Sequence, residues 1–547
     1  MPRRTKVRQR LPGAQGSALP PQGKVSRATT SRAARRSLVL RIAHSPGGRA
    51  VLLGAAAGLV YLFVAGDLRF HFVQSPHPHL LLLADAFLHG QSHVRPQQLA
   101  AVQQRDEAAA DQALAALAQR RNIAISELQR RQFLEQWHRG RSLLDWSVVD
   151  GKYYGYWGPL APALLTPVVA LFGPGVSDRL IDALFGALNV ALFYVLLRRA
   201  DRAGWCATTE PARIALTVLL AFGTVHFYSA CIGSVWFSVQ IITLTALLVA
   251  CILSCAPQLT WRAALLSGAA FGAAVLGRNI VVLIAPYFLT LFWFQTSGPR
   301  RARLAAWLRN CASFALPCIV AILVQGAYNQ ARFGSPFDSG QKALMQTAGA
   351  AELAPDYYRY GQFHPHFLAT NAKFYFWNWE LSRDGHGRLS FDGRGNSMFI
   401  VTPPLLYLFL AWRRRNRLAL ALAAGVVPFM AGLLLFRTTG AYQFGNRYII
   451  ELLPLLLLLV AEGVCGRLTN ISYVLIVLAI AVNLFGTCRF CQLSWPQTDG
   501  ALAWSLGAFV ALALLARAVC AIQKQLVGSA RRAGPGYKSD HSAPKSL

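Results

Sequence analysis

The sequence predicts an all-α polytopic membrane protein, and three observations carry that prediction. Of its 547 residues, 54% are hydrophobic and only 14% are charged. The mean hydropathy is +0.37. Apolar runs recur from about residue 50 to residue 517, each of roughly the twenty residues that a helix needs to cross a bilayer while satisfying its own backbone.

Charge comes next, because a net +31 would otherwise suggest nucleic acid. Its distribution points elsewhere. Residues 1–49 carry Arg3, Arg4, Lys6, Arg8, Arg10 and seven further basic residues with no acid, and residues 518–547 are basic too. Tails of this kind are predicted to be disordered and to stay on the cytoplasmic side, drawn to anionic lipid rather than nucleic acid. The first apolar run, RAVLLGAAAGLVYLFVAGD, follows too long a charged lead for a cleaved leader and reads as a signal anchor. The predicted organisation is a basic tail (1–49), a membrane domain (50–517) and a second basic tail (518–547).

Twelve spans are predicted, near 50–66, 177–197, 213–231, 235–255, 262–277, 279–296, 310–327, 397–412, 418–436, 448–463, 471–487 and 499–517. A thirteenth apolar piece, 159–172, decides the topology. If it crossed, the basic loops 198–204, 298–310 and 413–417 would all lie outside, against the positive-inside tendency. If it dips in and returns, all three lie inside with both tails. Pro159, Pro162 and Pro167 fit the second reading, because each lacks an N–H and bends or ends a helix.

That topology leaves two large exterior segments, 67–176 and 328–396. In the first, residues 106–137 show helical spacing of Ala and Leu against charge and predict one or two amphipathic surface helices. Most of the ten cysteines lie in apolar runs and read as small buried hydrophobes. Cys488 and Cys491 flank a predicted short exterior loop, where they could be bridged.

Ionisable residues are concentrated outside and are nearly absent from mid-span, which favours surface chemistry on a lipid-linked substrate over translocation. Three clusters stand out. In HFVQSPHPHLLLLADAFLHGQSHV (71–94), Asp85 and His89 lie one helical turn apart, so a carboxylate and an imidazole could deprotonate a hydroxyl or share a divalent ion such as Mg or Mn. In DWSVVDGKYYGYWG, Asp145 and Asp150 precede the dipping piece, where a carboxylate would meet a head group. Lys152 could face a phosphate there, and Tyr153, Tyr154 and Tyr156 suit a sugar or the interface; a solvated turn at Asp150-Gly151 is the bland alternative. In RTTGAYQFGNRYIIELLP (437–454), Arg447 at a span entrance is costly unless it binds an anion or snorkels, and Tyr442 and Asn446 could assist. Arg278, between two apolar runs, is a candidate of the same kind.

The ordered segments LADAFLHG, DGKYYGYWGPLAPALLTPVVALFG, RLIDALFGALN, FGTVHFYSACIGSVWF, RFGSPFDSG and GNRYIIELLPLLLLL resemble the GT-C superfamily of membrane glycosyltransferases. The resemblance is to bacterial members similar to protein O-mannosyltransferases and aminoarabinose transferases. It implies a polyprenyl-phosphate sugar donor, an active site on the outer face of the bacterial plasma membrane, an exterior acid as base, and a basic residue or metal on the phosphate. By position, Asp85 looks like the family's acid and Arg447 like its basic residue. Many members carry the acid nearer the first span, where this chain has SPHPH. The acceptor is not implied, and the rival class is a non-catalytic transporter or flippase of lipid-linked saccharides.

Overall fold

The computed structural model describes residues 45–491 apart from 122–124, 140–142, 348–353, 384–388, 392, 415 and 442. Residues 1–44 of the first basic tail, the whole second tail and the predicted span 499–517 therefore lie outside the described residues. The chain divides into two units, Met1–Arg49 and Ala50–Leu547, and the second carries the membrane domain.

The chain is a mostly helical, multi-pass membrane protein. Among the described residues, six helices are long and apolar enough to cross a membrane: Gly47–Ala65, Asp178–Arg202, Val235–Ser254, Arg300–Phe333, Arg417–Leu435 and Asn470–Phe490. Trp261–Gly277, a shorter apolar helix, packs against Val235–Ser254 and Arg300–Phe333. Four other predicted spans are broken rather than continuous. The 213–231 run stops at Gly223 and resumes as the single turn His226–Ser229. The 397–412 run splits around Pro403 and Pro404. In the 279–296 and 448–463 runs, a 3-10 segment, Asn279–Ile284 or Arg447–Leu452, leads into an α-helix with Pro in its first turn. Proline has no N–H to give to the preceding turn, so the chain tightens there instead of continuing as one α-helix.

The proline-rich piece forms the helix Leu160–Phe172, with Pro167 inside it and Gly173 at φ 76° turning the chain away. Thirteen residues span about 20 Å, well short of the roughly 30 Å hydrocarbon core. Both ends are tied to one short stretch. Gln74 donates to the carbonyls of Pro174 (2.7 Å) and Val176 (3.1 Å) beyond the C-terminal end. His79 meets the ring of Trp157, just before the N-terminal end, at 5.5 Å. Residues 74–79 extend at most about 20 Å, so the helix lies alongside that stretch.

A buried carboxylate fastens this arrangement. Asp178 accepts hydrogen bonds from the Ser75 amide (2.8 Å), the Ser75 hydroxyl and the Ser234 amide (2.9 Å). Ser177 caps the same helix by accepting from Leu180 N–H. One side chain thus joins the exterior stretch 74–79, the start of one span and the entrance to another.

The exterior segments contribute small structures. Ser147–Val149 and Lys152–Tyr154 form an antiparallel hairpin whose tip, Asp150 (φ 50°) and Gly151 (φ 70°), is the left-handed pair of a type I′ turn. Arg394–Asn396 and Gln443–Gly445 pair in parallel. The predicted surface helices appear as Pro96–Arg121 and Glu127–Arg139, closed on each other by a two-pronged Arg130–Asp111 contact at 2.8 and 2.7 Å. Cys488 and Cys491 flank no loop: the Asn470–Phe490 helix runs through to Phe490 with Cys491 as its cap, and both thiols are free.

Gly158 is where the exterior chain passes closest to the membrane helices. A Cβ there would lie 1.8 Å from the carbonyl oxygen of Leu276, so the two backbones would have to part. Gly158→Ala is expected to destabilise the fold by about 2 kcal/mol or more, read as a lower thermal unfolding midpoint in detergent.

Candidate active site

Asp145 is the carboxylate that the fold places with care. It sits at φ 63°, a left-handed conformation that Asp tolerates better than most residues but that still needs support. Support comes from two histidines on the stretch beside the helix Leu160–Phe172. His79 Nε2 lies 2.7 Å from the Leu144 carbonyl, which can only accept, and its ring stacks on Trp146 at 4.2 Å. Burial holds its pKa down at about 4, so the ring is neutral near pH 7. His77 lies against Trp236 at 4.6 Å, and Trp236 donates its indole N–H to Asp145 Oδ2 at 2.7 Å. Burial raises the Asp145 pKa above its ordinary value, while the Trp236 hydrogen bond and then the charges of Arg447 and Arg437 pull it back down.

Arg447 lies at the other side of this centre. It begins the 3-10 segment Arg447–Leu452, its amide donates to Gln443 Oε1 (3.1 Å) and its carbonyl accepts from Gln240 (3.1 Å). Its guanidinium rests on Phe237 and Tyr448, 4.9 and 5.3 Å from the ring centres. The residue is only 5% exposed, and Nε and Nη1 have no hydrogen-bond partner. A buried cation left this way costs several kcal/mol unless an anion or water meets it.

Arg278 occupies the far face of Tyr448, 5.0 Å from the ring centre, and donates to buried Glu451 at 2.8 Å. Glu451 Oε2 and the hydroxyl of Tyr375 are buried without hydrogen-bond partners. Arg437 donates to Gln341 at 3.0 Å. Tyr156 sits between the acid and the cations, and burial, with the Asp145 charge second, raises its pKa well above the ordinary value; its hydroxyl stays a donor.

A cavity of about 390 Å³ opens beside these groups. Its lining is mixed: Tyr156, Arg278, Ser339, Gln341, Gln362 and Tyr448 bring polar groups, and Ile280, Val282, Leu283, Leu433 and Phe436 bring apolar ones. At its rim Val282 is 41% and Phe363 51% exposed. Such a shape suits a molecule with an anionic head and a greasy chain.

The remaining predicted residues are placed differently. Asp85 is turned to the root of the helical arm, where Gln98 donates to its Oδ2 and Arg95 lies 3.5 Å away. His89 Nδ1 bonds the Asp85 backbone carbonyl at 2.8 Å, so this pair serves local structure. Asp150 and Lys152 are exposed at the hairpin tip. Tyr154 is buried against His93 and Phe333. Asn446 is a strut, donating to the carbonyls of Phe374 (2.8 Å) and Asn396 (3.0 Å). Arg278 lines the cavity and is paired with Glu451. Tyr442 lies outside the described residues.

Among the described residues, no group of three or more His, Cys, Asp or Glu gathers as metal ligands. Asp145 stands as a lone carboxylate with one oxygen already held by Trp236. This donor set does not fit a resident Mg or Mn ion. Sequence reading passed over Glu451 and Arg437; an acid inside the apolar run YIIELLPLLLLL was a signal, since it needs a partner there. Arg332 at the end of the helix Arg300–Phe333 is a further residue of this region. It is buried between Tyr328 and Phe333 and donates to the Gly155 carbonyl, which steadies the turn that carries Tyr156.

Comparison with known proteins adds a distant likeness. The chain is similar in structure to archaeal oligosaccharyltransferase AglB from Archaeoglobus fulgidus, solved in complex with an inhibitory peptide and a dolichol-phosphate, with a TM-score of 0.36 and 13% identity. The match covers 82% of this chain, which spans only 56% of that one. No protein family and no curated protein sequence matches.

Asp85→Asn is expected to loosen the arm and leave the Asp145–Arg447 centre intact. Limited trypsin digestion should nick residues 96–139 faster, with the unfolding midpoint of the membrane domain changed by no more than about 1 kcal/mol's worth. Loss of activity with the arm still protected would instead put Asp85 in the chemistry.

Proposed function

We propose that the chain is an integral membrane glycosyltransferase of the GT-C kind, moving a sugar from a polyprenyl-phosphate donor to an acceptor at the outer face of a bacterial plasma membrane. The observation that carries this reading is the buried guanidinium of Arg447, whose Nε and Nη1 lack partners: its charge reaches the Asp145 carboxyl, and Tyr448, on which it rests, lines a cavity with mixed polar and apolar walls. The twelve-span topology with both tails cytoplasmic belongs to the same proposal. The short, doubly tethered Leu160–Phe172 helix supports it by keeping the exterior acid and the span entrances on one face.

In this scheme the isoprenoid lies along the apolar walls of the cavity and the phosphodiester meets Arg447, with Arg278 and Arg437 near. Asp145 takes the proton of the acceptor hydroxyl, whose oxygen forms a bond to the anomeric carbon. The bond from that carbon to the phosphate oxygen breaks, and its electron pair stays on the departing polyprenyl phosphate. Guanidinium groups suit this leaving group because its charge grows as the bond breaks, and stabilisation that strengthens toward the transition state accelerates the step. Tyr156, kept protonated, can donate to the phosphate or the sugar.

The deciding experiment incubates purified protein with a radiolabelled polyprenyl-phosphate sugar and follows both bond cleavage and movement of the carrier across a vesicle membrane. Arg447→Ala is expected to lower kcat/KM by roughly 100-fold with folding intact, and Arg447→Lys to recover part of it, since a charged hydrogen bond is worth about 1.5–3 kcal/mol. Carrier movement without bond cleavage would establish the transporter or flippase in place of the enzyme.

The acid side of the pH profile is a separate check. Asp145 works as base only when ionised, and its pKa is raised above the ordinary 3.8, so kcat/KM should fall with decreasing pH through a midpoint above that value. Asp145→Asn should remove both the activity and this limb; an unchanged limb in residual activity would assign the base elsewhere.

A further inference from the structure

At the opposite end of the fold from Arg447, a groove of about 390 Å³ runs between the helices Leu408–Arg414, Arg417–Leu435 and Leu453–Gly463. Its floor is Ala419 and Leu456, 5% and 1% exposed, and its open walls include Trp412, Leu420 and Val427, 60%, 45% and 60% exposed. Small alanines beside large walls leave a trough, and polar lining is almost lacking. In a bilayer such a trough is filled by something apolar.

The charges at its mouth say what kind of molecule. Leu420, Ala423 and Val427 share a face at spacings of three and four, and one turn earlier that face begins at exposed Arg417. Trp412 on the other wall is followed directly by exposed Arg413. The connecting turn reads RRRNR, and residues 408–420 contain no acid. Glu462 accepts a hydrogen bond from Asn416, and its single negative charge stands against the four arginines of residues 413–417. A Trp at the rim between an apolar trough and a guanidinium cluster is the arrangement that matches acyl chain, glycerol level and phosphate in turn.

We propose that this groove is a specific site for one anionic phospholipid, its acyl chain in the trough and its phosphate at Arg413 and Arg417. The site is separate from the transfer centre and does not depend on the reading of that centre.

The test is titration of the full-length, delipidated protein in detergent with phosphatidylglycerol or phosphatidylcholine, followed by native mass spectrometry. Phosphatidylglycerol is expected to bind roughly tenfold more tightly, because each basic residue near the head group adds a factor of several. The double variant Arg413→Ser with Arg417→Ser should bring the two lipids level. Val427→Trp, which fills the trough, should weaken both; Ala423→Leu serves if that variant fails to fold. Equal binding of both lipids to the natural chain, or a preference that survives filling, overturns the proposal. So does a dimer that Val427→Trp converts to monomer, since a second copy would then be the occupant.

Discussion

The arrangement turns on a positive charge held in protein without an acid of its own. Arg447 could have been neutralised by Glu451 on the same 3-10 segment, but that carboxylate is committed to Arg278 across the ring of Tyr448. The two aromatic faces under Arg447 return part of the lost hydration, since cation–π contacts strengthen away from water. They leave its N–H groups unsatisfied. An enclosed site with spare guanidinium donors is preorganised for an oxyanion: binding one costs little rearrangement, and the donors are already aimed.

Holding the carboxylate opposite takes more of the fold than holding the guanidinium. Asp145 lies on a loop, in a backbone conformation that would relax if released, and it is fixed from three directions: the Leu144 carbonyl by His79, the Trp146 ring by the same imidazole, and its own carboxylate by Trp236. His77 and His79 are themselves placed by the stretch that Asp178 clamps to two span entrances. The same stretch tethers the helix Leu160–Phe172. One polar junction therefore sets both the place of that helix and the position of the carboxylate.

The two ends of the membrane domain are built differently. The end with Arg447 has open donors and acceptors and broken helices, which expose backbone only where protein covers it. The opposite end carries ion pairs: Arg213 bridges Asp201 at 2.9 Å and Glu210 at 2.8 Å, and Tyr194 also donates to Glu210.

The sequence by itself determined the class and much of the wiring. Apolar run length settled the helical membrane fold, prolines marked the short helix Leu160–Phe172, and the amphipathic run 106–137 foretold the helices Pro96–Arg121 and Glu127–Arg139. Arg447 and Arg278 were legible because an arginine at an apolar boundary is expensive, and cost is a local property of the chain. The choice of acid was not local. Asp85, Asp145 and Asp150 all sit near apolar or aromatic residues in one dimension, yet Asp85 meets Arg95 and Gln98, Asp150 meets solvent, and Asp145 meets a tryptophan some ninety residues away at position 236. Only the tertiary structure tells their surroundings apart, because a carboxylate's protonation and partners are set by what the fold brings across space, and spacing along the chain carries no record of that.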